Sequence, residues 1–555
     1  MSNAKSSSSA ISSIYFTSWQ YVRIGGFDLR NMGSAGASMA WVDPRGRVLR
    51  TPCDSMGEGG DDSYRRPSNH LLDDGIRCVS YAPRGIRLVA RQPDRVRFDD
   101  PLGMDPEGSP VPVTIVFDEG RYKCWYAFLP ARRPRQFPFH QFNQYVCYAE
   151  SSDGFAWSKP KLGLVEYEGS RDNNIVMSPH EPAGCPRAIF GPGVYVDDCG
   201  DPAERYKMIY YGRFSPEDYA AYRKKYPGET ETWGFTTEAW GLGGAVSPDG
   251  IHWRLLDEPM LIHFTDIIWG SMTFDPQRRK YICYHRTWPK PALSPESFLL
   301  IGKRSVARAT SASFRHWENS EVLITTGADV QPSHVYYAPG QTWLPGCTDQ
   351  QVLFVFRWKQ EDDTEDLCLF STPDGWAWSP VPGGSPIMTA GQPGTWEGSY
   401  FLGGGYLVEL PGSRWALPYM GFPIPHKYPR IAPARRRLHT GVEAHRGYAI
   451  WPKGRLVALD CPDEGSFATV AVQPAGQRLF INAAVDPTGF IKIGLKVPGA
   501  DVPGRSLEDC HPISAKDALE IPVSWRGEDA LKTDGQPVIM VFQLRRAKLF
   551  GISFR

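Results

Sequence analysis

Ser151-Ser152-Asp153-Gly154-Phe155-Ala156-Trp157 has two close copies further along the chain, Ser247-Pro248-Asp249-Gly250-Ile251-His252-Trp253 and Thr372-Pro373-Asp374-Gly375-Trp376-Ala377-Trp378. A degenerate copy, Ser311-Ala312-Ser313-Phe314-Arg315-His316-Trp317, keeps the ends and loses the Asp-Gly step. Asp-Gly supplies the positive-φ turn of a β-hairpin, and a Trp three residues beyond the Gly can pack back over that turn. The four tryptophans fall 96, 64 and 61 residues apart.

A second pattern lies upstream of the copies: an acidic turn, a basic-Tyr step, then alternating aromatics. It reads Asp118-Glu119-Gly120-Arg121-Tyr122-Lys123-Cys124-Trp125-Tyr126, then Glu204-Arg205-Tyr206-Lys207-Met208-Ile209-Tyr210-Tyr211, then Arg279-Lys280-Tyr281-Ile282-Cys283-Tyr284. Looser versions are Val352-Leu353-Phe354-Val355-Phe356-Arg357-Trp358 and Arg414-Trp415-Ala416-Leu417-Pro418-Tyr419-Met420. Each unit reads as strand, turn, aromatic strand, third strand, Asp-Gly turn and short edge strand. Four strands per unit of roughly 60 residues, repeated five times, predict an all-β chain with a five-bladed β-propeller over residues 70–445.

The remaining segments are read around that repeat. Ser215-Pro216-Glu217 starts a helix in the order N-cap, Pro at N1 and acid in the first turn, and Pro227-Gly228 stops it. Pro130 to Pro138 and His426 to Arg437 are basic loops. After residue 445 short alternating strands appear without the Asp-Gly-x-x-Trp punctuation: Val470–Val472, Arg478–Ala483, Phe490–Val497 and Lys548–Phe554. They predict a small β-sandwich over residues 446–555. Residues 1–69 are Gly- and Ser-rich and atypical, and the pattern does not place them.

Composition narrows the function. The 555 residues carry 61 basic and 61 acidic side chains, so no long-range field would gather phosphates and nucleic acid is not an expected partner. Apolar residues at 41% and charged ones at 22% suit a large core rather than disorder. The aromatic count, 18 Trp, 25 Tyr and 27 Phe, suits flat sugar rings. Eleven cysteines without a C-x-x-C pair read as mostly buried thiols, not as a disulfide framework or zinc site. Residues 1–13 lack the apolar core of a secretion signal and no run of 18 apolar residues occurs, so a cytoplasmic chain without a membrane partner is expected.

The run from Cys147 through Ser151-Ser152-Asp153-Gly154-Phe155-Ala156-Trp157-Ser158-Lys159-Pro160, with Leu162-Gly163-Leu164-Val165-Glu166-Tyr167 and Asn173-Asn174-Ile175-Val176, resembles bacterial relatives of the five-bladed β-propeller glycosidases. Those glycosidases are of invertase/levanase and arabinanase/β-xylosidase type. The resemblance covers residues 70–555, including an invertase-like C-terminal sandwich, and implies a glycoside hydrolase or transglycosylase acting on a furanoside or related carbohydrate. Trp41-Val42-Asp43-Pro44-Arg45-Gly46 echoes the invertase-type nucleophile motif. No Arg-Asp-Pro triplet or Glu-Cys dipeptide marks the other two family carboxylates.

The carboxylates are therefore sought by position. In a propeller the first strand of each blade lines the axis, so residues preceding those strands gather at one mouth. Asp105 and Glu107 precede the first such strand, Arg187 the second, Asp266 the third, Asp329 the fourth, with His334 close behind, and Glu397 the fifth. A glycosidase needs one carboxyl to protonate the leaving oxygen and another to act as nucleophile or base. Glu397 is the expected acid, because Trp396 beside it supplies an apolar wall. Asp266, Asp329, Asp105 and Glu107 are the expected nucleophile, base or stabiliser. Arg187, His334, Arg286, Trp269 and Trp396 are expected to bind substrate. No cofactor is expected. Two other readings stand beside this one. One is a non-catalytic carbohydrate-binding propeller. The other is a metal-stabilised propeller with a different reaction, in which a structural calcium sits on Asp266, Asp329 and waters. The oligomeric state is left open.

Overall fold

The three intact repeats build the same turn. In the first, Ser151 Oγ accepts from the N–H groups of Asp153 at 3.2 Å and Gly154 at 2.8 Å. Asp153 Oδ1 in turn accepts from the N–H groups of Phe155 and Ala156, both at 2.8 Å. Ser247 with Asp249 and Thr372 with Asp374 repeat the set. The glycine is needed because φ is +81° at Gly154, +79° at Gly250 and +73° at Gly375. In the degenerate copy Phe314 takes that conformation itself, at φ +65°, with its ring fully buried. Trp253 and Trp317 close their turns alike, their indole N–H groups donating to the carbonyls of Gly250 and Phe314.

The computed structural model describes residues 10–23, 38–42, 48–52, 77–78, 83–98, 108–130, 144–179, 189–227, 240–262, 271–287, 304–318, 320–327, 330–381, 386–425, 444–497 and 500–555. They divide into two compact units, Ala90–Lys453 and Met1–Val89 with Gly454–Arg555. The protein is all-β: among the described residues there is one α-helix, Pro216–Lys225, closed at its start by a Ser215/Asp218 capping box. Tyr219 and Tyr222 bury one side of it. No helix among the described residues is long and apolar enough to cross a membrane.

Ala90–Lys453 holds five antiparallel sheets. The first runs Gly108–Asp118, Arg121–Pro130, Tyr145–Ser151, Trp157–Ser158, and the second Ile189–Val196, Tyr206–Arg213, Trp240–Ser247, Arg254–Leu255. The third runs Ser271–Asp275, Lys280–Thr287, Ser305–Ser311, Glu321–Ile324, and the fourth His334–Trp343, Gln351–Lys359, Thr364–Ser371, Ser379–Pro380. The fifth runs Tyr400–Gly403, Arg414–Phe422 and His445–Pro452, and its last strand is Asp94–Arg97, from before the repeats.

Each sheet packs on the next. Trp125, Tyr148, Tyr206 and Met208 join the first sheet to the second, and Ile209, Leu242, Cys283 and Trp317 the second to the third. Tyr284, Val306, Leu353 and Phe370 join the third to the fourth. Phe356 meets Phe401 edge-on, with ring centroids 5.9 Å apart, between the fourth and fifth. The fifth then packs on the first through Ala416, Tyr448, Cys124 and Ile115, and the Tyr448 hydroxyl donates to the Gly154 carbonyl at 2.8 Å. The aromatic second strands are thus used twice, as ladder and as inter-sheet filling. Charge is placed with the same regularity. Asp118 of the first sheet accepts from Lys123, Arg205 and Tyr206, and Asp197 of the second from Tyr281 and, as an ion pair, Lys207.

The other unit centres on two long strands, Leu479–Val497 and Ile539–Phe554. Phe490–Val497 and Lys548–Phe554 are the far halves of these rather than separate strands, because the ladder continues through irregularities such as that between Val485 and Phe490. Val457–Ala468 and Ser13–Tyr15 pair with Ile539–Phe554, and Lys516–Pro522 pairs with Leu479–Val497. Phe16 packs edge-on against Phe467 and Phe542 in its core. Eight cysteines with described side chains stand outside any disulfide, and six of them are buried.

Candidate active site

A repeated backbone hydrogen bond joins the sheets at one end. The residue that opens a third strand meets the opening of the next sheet's first strand. Gln144 N–H donates to the Ile189 carbonyl at 3.0 Å, Tyr336 N–H to Arg304 at 3.2 Å, and Glu365 N–H to Ser399 at 3.2 Å. In these three pairs the first strands begin at the same end, and the residues just before the five first strands in sequence include every carboxylate singled out above.

Of those, Glu397 is described. It lies in the turn that leads into Tyr400–Gly403, with its side chain 12% exposed. Its Oε2 accepts from the Tyr419 hydroxyl at 2.6 Å, and its Oε1 lies 3.5 Å from Arg95 Nη1. Trp396 stacks on Tyr419, with ring centroids 5.3 Å apart and planes at 27°, and stands nearly perpendicular to the His445 ring, at 78°. The turn can lie this close because the strands under it carry Gly421 and Gly447. A methyl on Gly421 would come within 2.7 Å of both Glu397 Cβ and the Trp396 ring, and one on Gly447 within 2.9 Å of the same ring. Burial, followed by the Glu397 charge, pushes the Tyr419 phenol well above its ordinary range, so it acts as a donor.

His334 opens the fourth sheet, with Nε2 2.6 Å from Glu361 Oε1. Arg286 is 9% exposed and lies in a cation–aromatic stack between the third and fourth sheets. Its guanidinium sits 5.1 Å from the Tyr337 ring centre, Arg304 lies 4.7 Å from the same ring, and Arg304 also covers Trp358 at 4.9 Å. Glu397 with Trp396 is thus held within the fifth sheet, His334 by the fourth and Arg286 across the third and fourth. Two acids of the fourth sheet, Glu365 and Asp366, are buried at this end, and Asp366 pairs with Arg357 at 2.7 Å. Asp105, Glu107, Arg187, Asp266, Trp269 and Asp329 lie outside the described residues. So does the calcium reading on Asp266 and Asp329. Among the described residues no group of three or more His, Cys, Asp or Glu side chains could hold a metal ion.

Arg95, Tyr419, Tyr337, Arg304 and Glu365 were not singled out from the sequence. Tyr419 carried a faint signal, as an aromatic in Arg414–Phe422, the sheet's aromatic second strand. Arg95 carried none, because its strand precedes the repeat.

No family model matches the chain, and no curated protein matches it. Among solved structures it is similar to a glycoside hydrolase at 12% identity, over 65% of this chain and 92% of that one, with a TM-score of 0.42. It is similar to an endo-arabinase from Bacteroides thetaiotaomicron at 10% identity, over 65% of this chain and 96% of that one, with a TM-score of 0.34. A β-fructofuranosidase of glycoside hydrolase family 32 from Bombyx mori aligns at 11% identity, over 83% of this chain and 94% of that one, with a TM-score of 0.36. At such TM-scores the functional reading rests on the residues of this chain.

Proposed function

We propose that the chain is a glycoside hydrolase or transglycosylase acting on a furanoside or related carbohydrate. Its five sheets would be the blades of a five-bladed β-propeller, and Gly454–Arg555, after the last blade strand His445–Pro452, a β-sandwich. Support for the blades comes from the packing order, in which each sheet meets the next and the fifth meets the first. The observation that carries the functional reading is Glu397 beside Trp396, a carboxyl and an indole held together at the end where first strands begin.

In this reading Glu397 protonates the leaving oxygen. Asp266, Asp329 and Asp105 or Glu107 precede the other first strands in sequence and supply the nucleophile or base and the stabilising charge. Trp396 and Trp269 offer faces to sugar rings, and Arg187, His334 and Arg286 hold hydroxyls or a substrate charge. Glu397→Gln tests the acid. Hydrolysis of an unactivated glycoside should fall by about a hundredfold or more, while an aryl glycoside with a good leaving group, which needs little protonation, keeps far more of its rate. Equal activity of variant and wild type on the unactivated substrate would remove Glu397 from the mechanism. Sugar binding without turnover by the wild type would favour the carbohydrate-binding module instead.

A further inference from the structure

We infer that Tyr419 and Arg95 are positioning residues for Glu397, one for each carboxylate oxygen; the inference rests on the glycosidase reading for its catalytic meaning. Tyr419 donates to Oε2 at 2.6 Å, and Arg95 Nη1 stands 3.5 Å from Oε1. The hydrogen bond fixes Oε2, and the Arg95 charge at ion-pair distance from Oε1 biases the rotation about the last bond of the side chain, leaving Oε1 to carry the acid's proton. That ordering is in place before substrate arrives, which is the condition for a reacting group to keep near-attack geometry.

Both anchors are themselves fixed. Arg95 Nη2 donates to the Thr389 carbonyl at 2.8 Å, which ties the guanidinium to the backbone of the fourth sheet. The Tyr419 ring is 2% exposed and lies under the stacked Trp396. Glu397 cannot back away from them, because its Cβ rests on the bare backbone of Gly421. Arg95 comes from Asp94–Arg97, the strand that completes the fifth sheet by pairing with His445–Pro452. The orientation of Glu397 thus depends on the pairing of a strand from outside the repeat.

Tyr419→Phe is the decisive variant, since it keeps the ring on Trp396 and deletes only the donor. Crystal structures of wild type, Tyr419→Phe and Arg95→Met would be compared, together with kinetics on methyl α-L-arabinofuranoside and methyl β-D-fructofuranoside, whose poor leaving groups need the proton. Each single variant should show the Glu397 carboxylate rotated away from its wild-type position. Their kcat should fall by about ten- to a hundredfold with KM within about twofold, the signature of lost orientation rather than lost binding. Arg95→Lys should recover part of what Arg95→Met loses. A Glu397 carboxylate in the same place in both variants would overturn the inference. So would an unchanged kcat in Tyr419→Phe under conditions where Glu397→Gln is inactive. If the wild type hydrolyses neither substrate, the glycosidase reading is what suffers, and the crystallographic comparison still decides the positioning.

Discussion

His285 shows what burial does to a single titratable side chain in this chain. It is 1% exposed, with Nδ1 2.8 Å from the Arg286 carbonyl and Nε2 2.8 Å from Ser320 Oγ. Burial pushes its pKa down to about 4. The folded-state value is depressed, so as pH falls the unfolded chain takes up the proton first. The stability is fully present above the unfolded value, about 6.5, and is lost as pH drops toward 4. Between pH 7.5 and 5 this amounts to about 2 kcal/mol. Urea unfolding at the two pH values should show that difference shrink by about as much in His285→Gln; an unchanged pH dependence would mean that other groups set it. The same scale marks where the site stopped being legible. A glutamate beside a tryptophan before a strand stands out by residue type, as Glu397 did. An arginine that lies before the first sheet's opening strand Gly108–Asp118 does not, because the contact between Arg95 and Glu397 leaves no local pattern to read.

Among the elements, the turns were the most legible and also the most constrained. Asp153, the second turn residue, is held below the usual carboxylate range chiefly by the Ala156 and Phe155 N–H groups, so the turn stabilises an ionised Asp. The glycine after it has no substitute without cost. At Gly250 a methyl would meet the Trp125 ring at 2.5 Å as well as sit at φ +79°, whereas at Gly412, with φ +80°, only Arg414 Nε lies near, at 3.6 Å. Gly250→Ala should therefore cost about 2–4 kcal/mol and Gly412→Ala about 1 kcal/mol, measured by urea unfolding. Equal costs would show that backbone conformation alone decides. Phe314 shows why the third repeat lost its motif and kept its shape: a buried ring offsets the unfavourable φ. The last strand of the fifth sheet, Asp94–Arg97, was the element that pattern could not supply. Four residues with two arginines, mostly exposed, carry neither alternation nor a turn signal, and their identity as a strand comes from the partner His445–Pro452.

For the molecule as a whole, the chain leaves one unit at Val89 and re-enters it at Gly454, with the five sheets between. Phe16, 1% exposed, belongs to the core of the interrupted unit. Phe16→Ala should cost that unit about 3–5 kcal/mol. Hydrogen exchange should then show lost protection along Ile539–Phe554 and unchanged protection along Arg121–Pro130; loss in both would mean that the two units unfold together. The composition-level reading of an aromatic, turn-rich all-β chain needed only counts, whereas this interruption needed the pairing of Ser13 with Ser553 and of Arg97 with Gly447. Those two pairings set an order of events during synthesis. At about 5–20 residues per second, Ser13–Tyr15 leaves the ribosome roughly half a minute to two minutes before its partner exists. The five-sheet unit can be clasped earlier, as soon as His445–Pro452 emerges to meet Asp94–Arg97. The nascent chain thus carries two nested clasps, the inner one fastening while translation is under way and the outer one only when Ile539–Phe554 has been made, with Ile14 and Phe16 held in waiting until then.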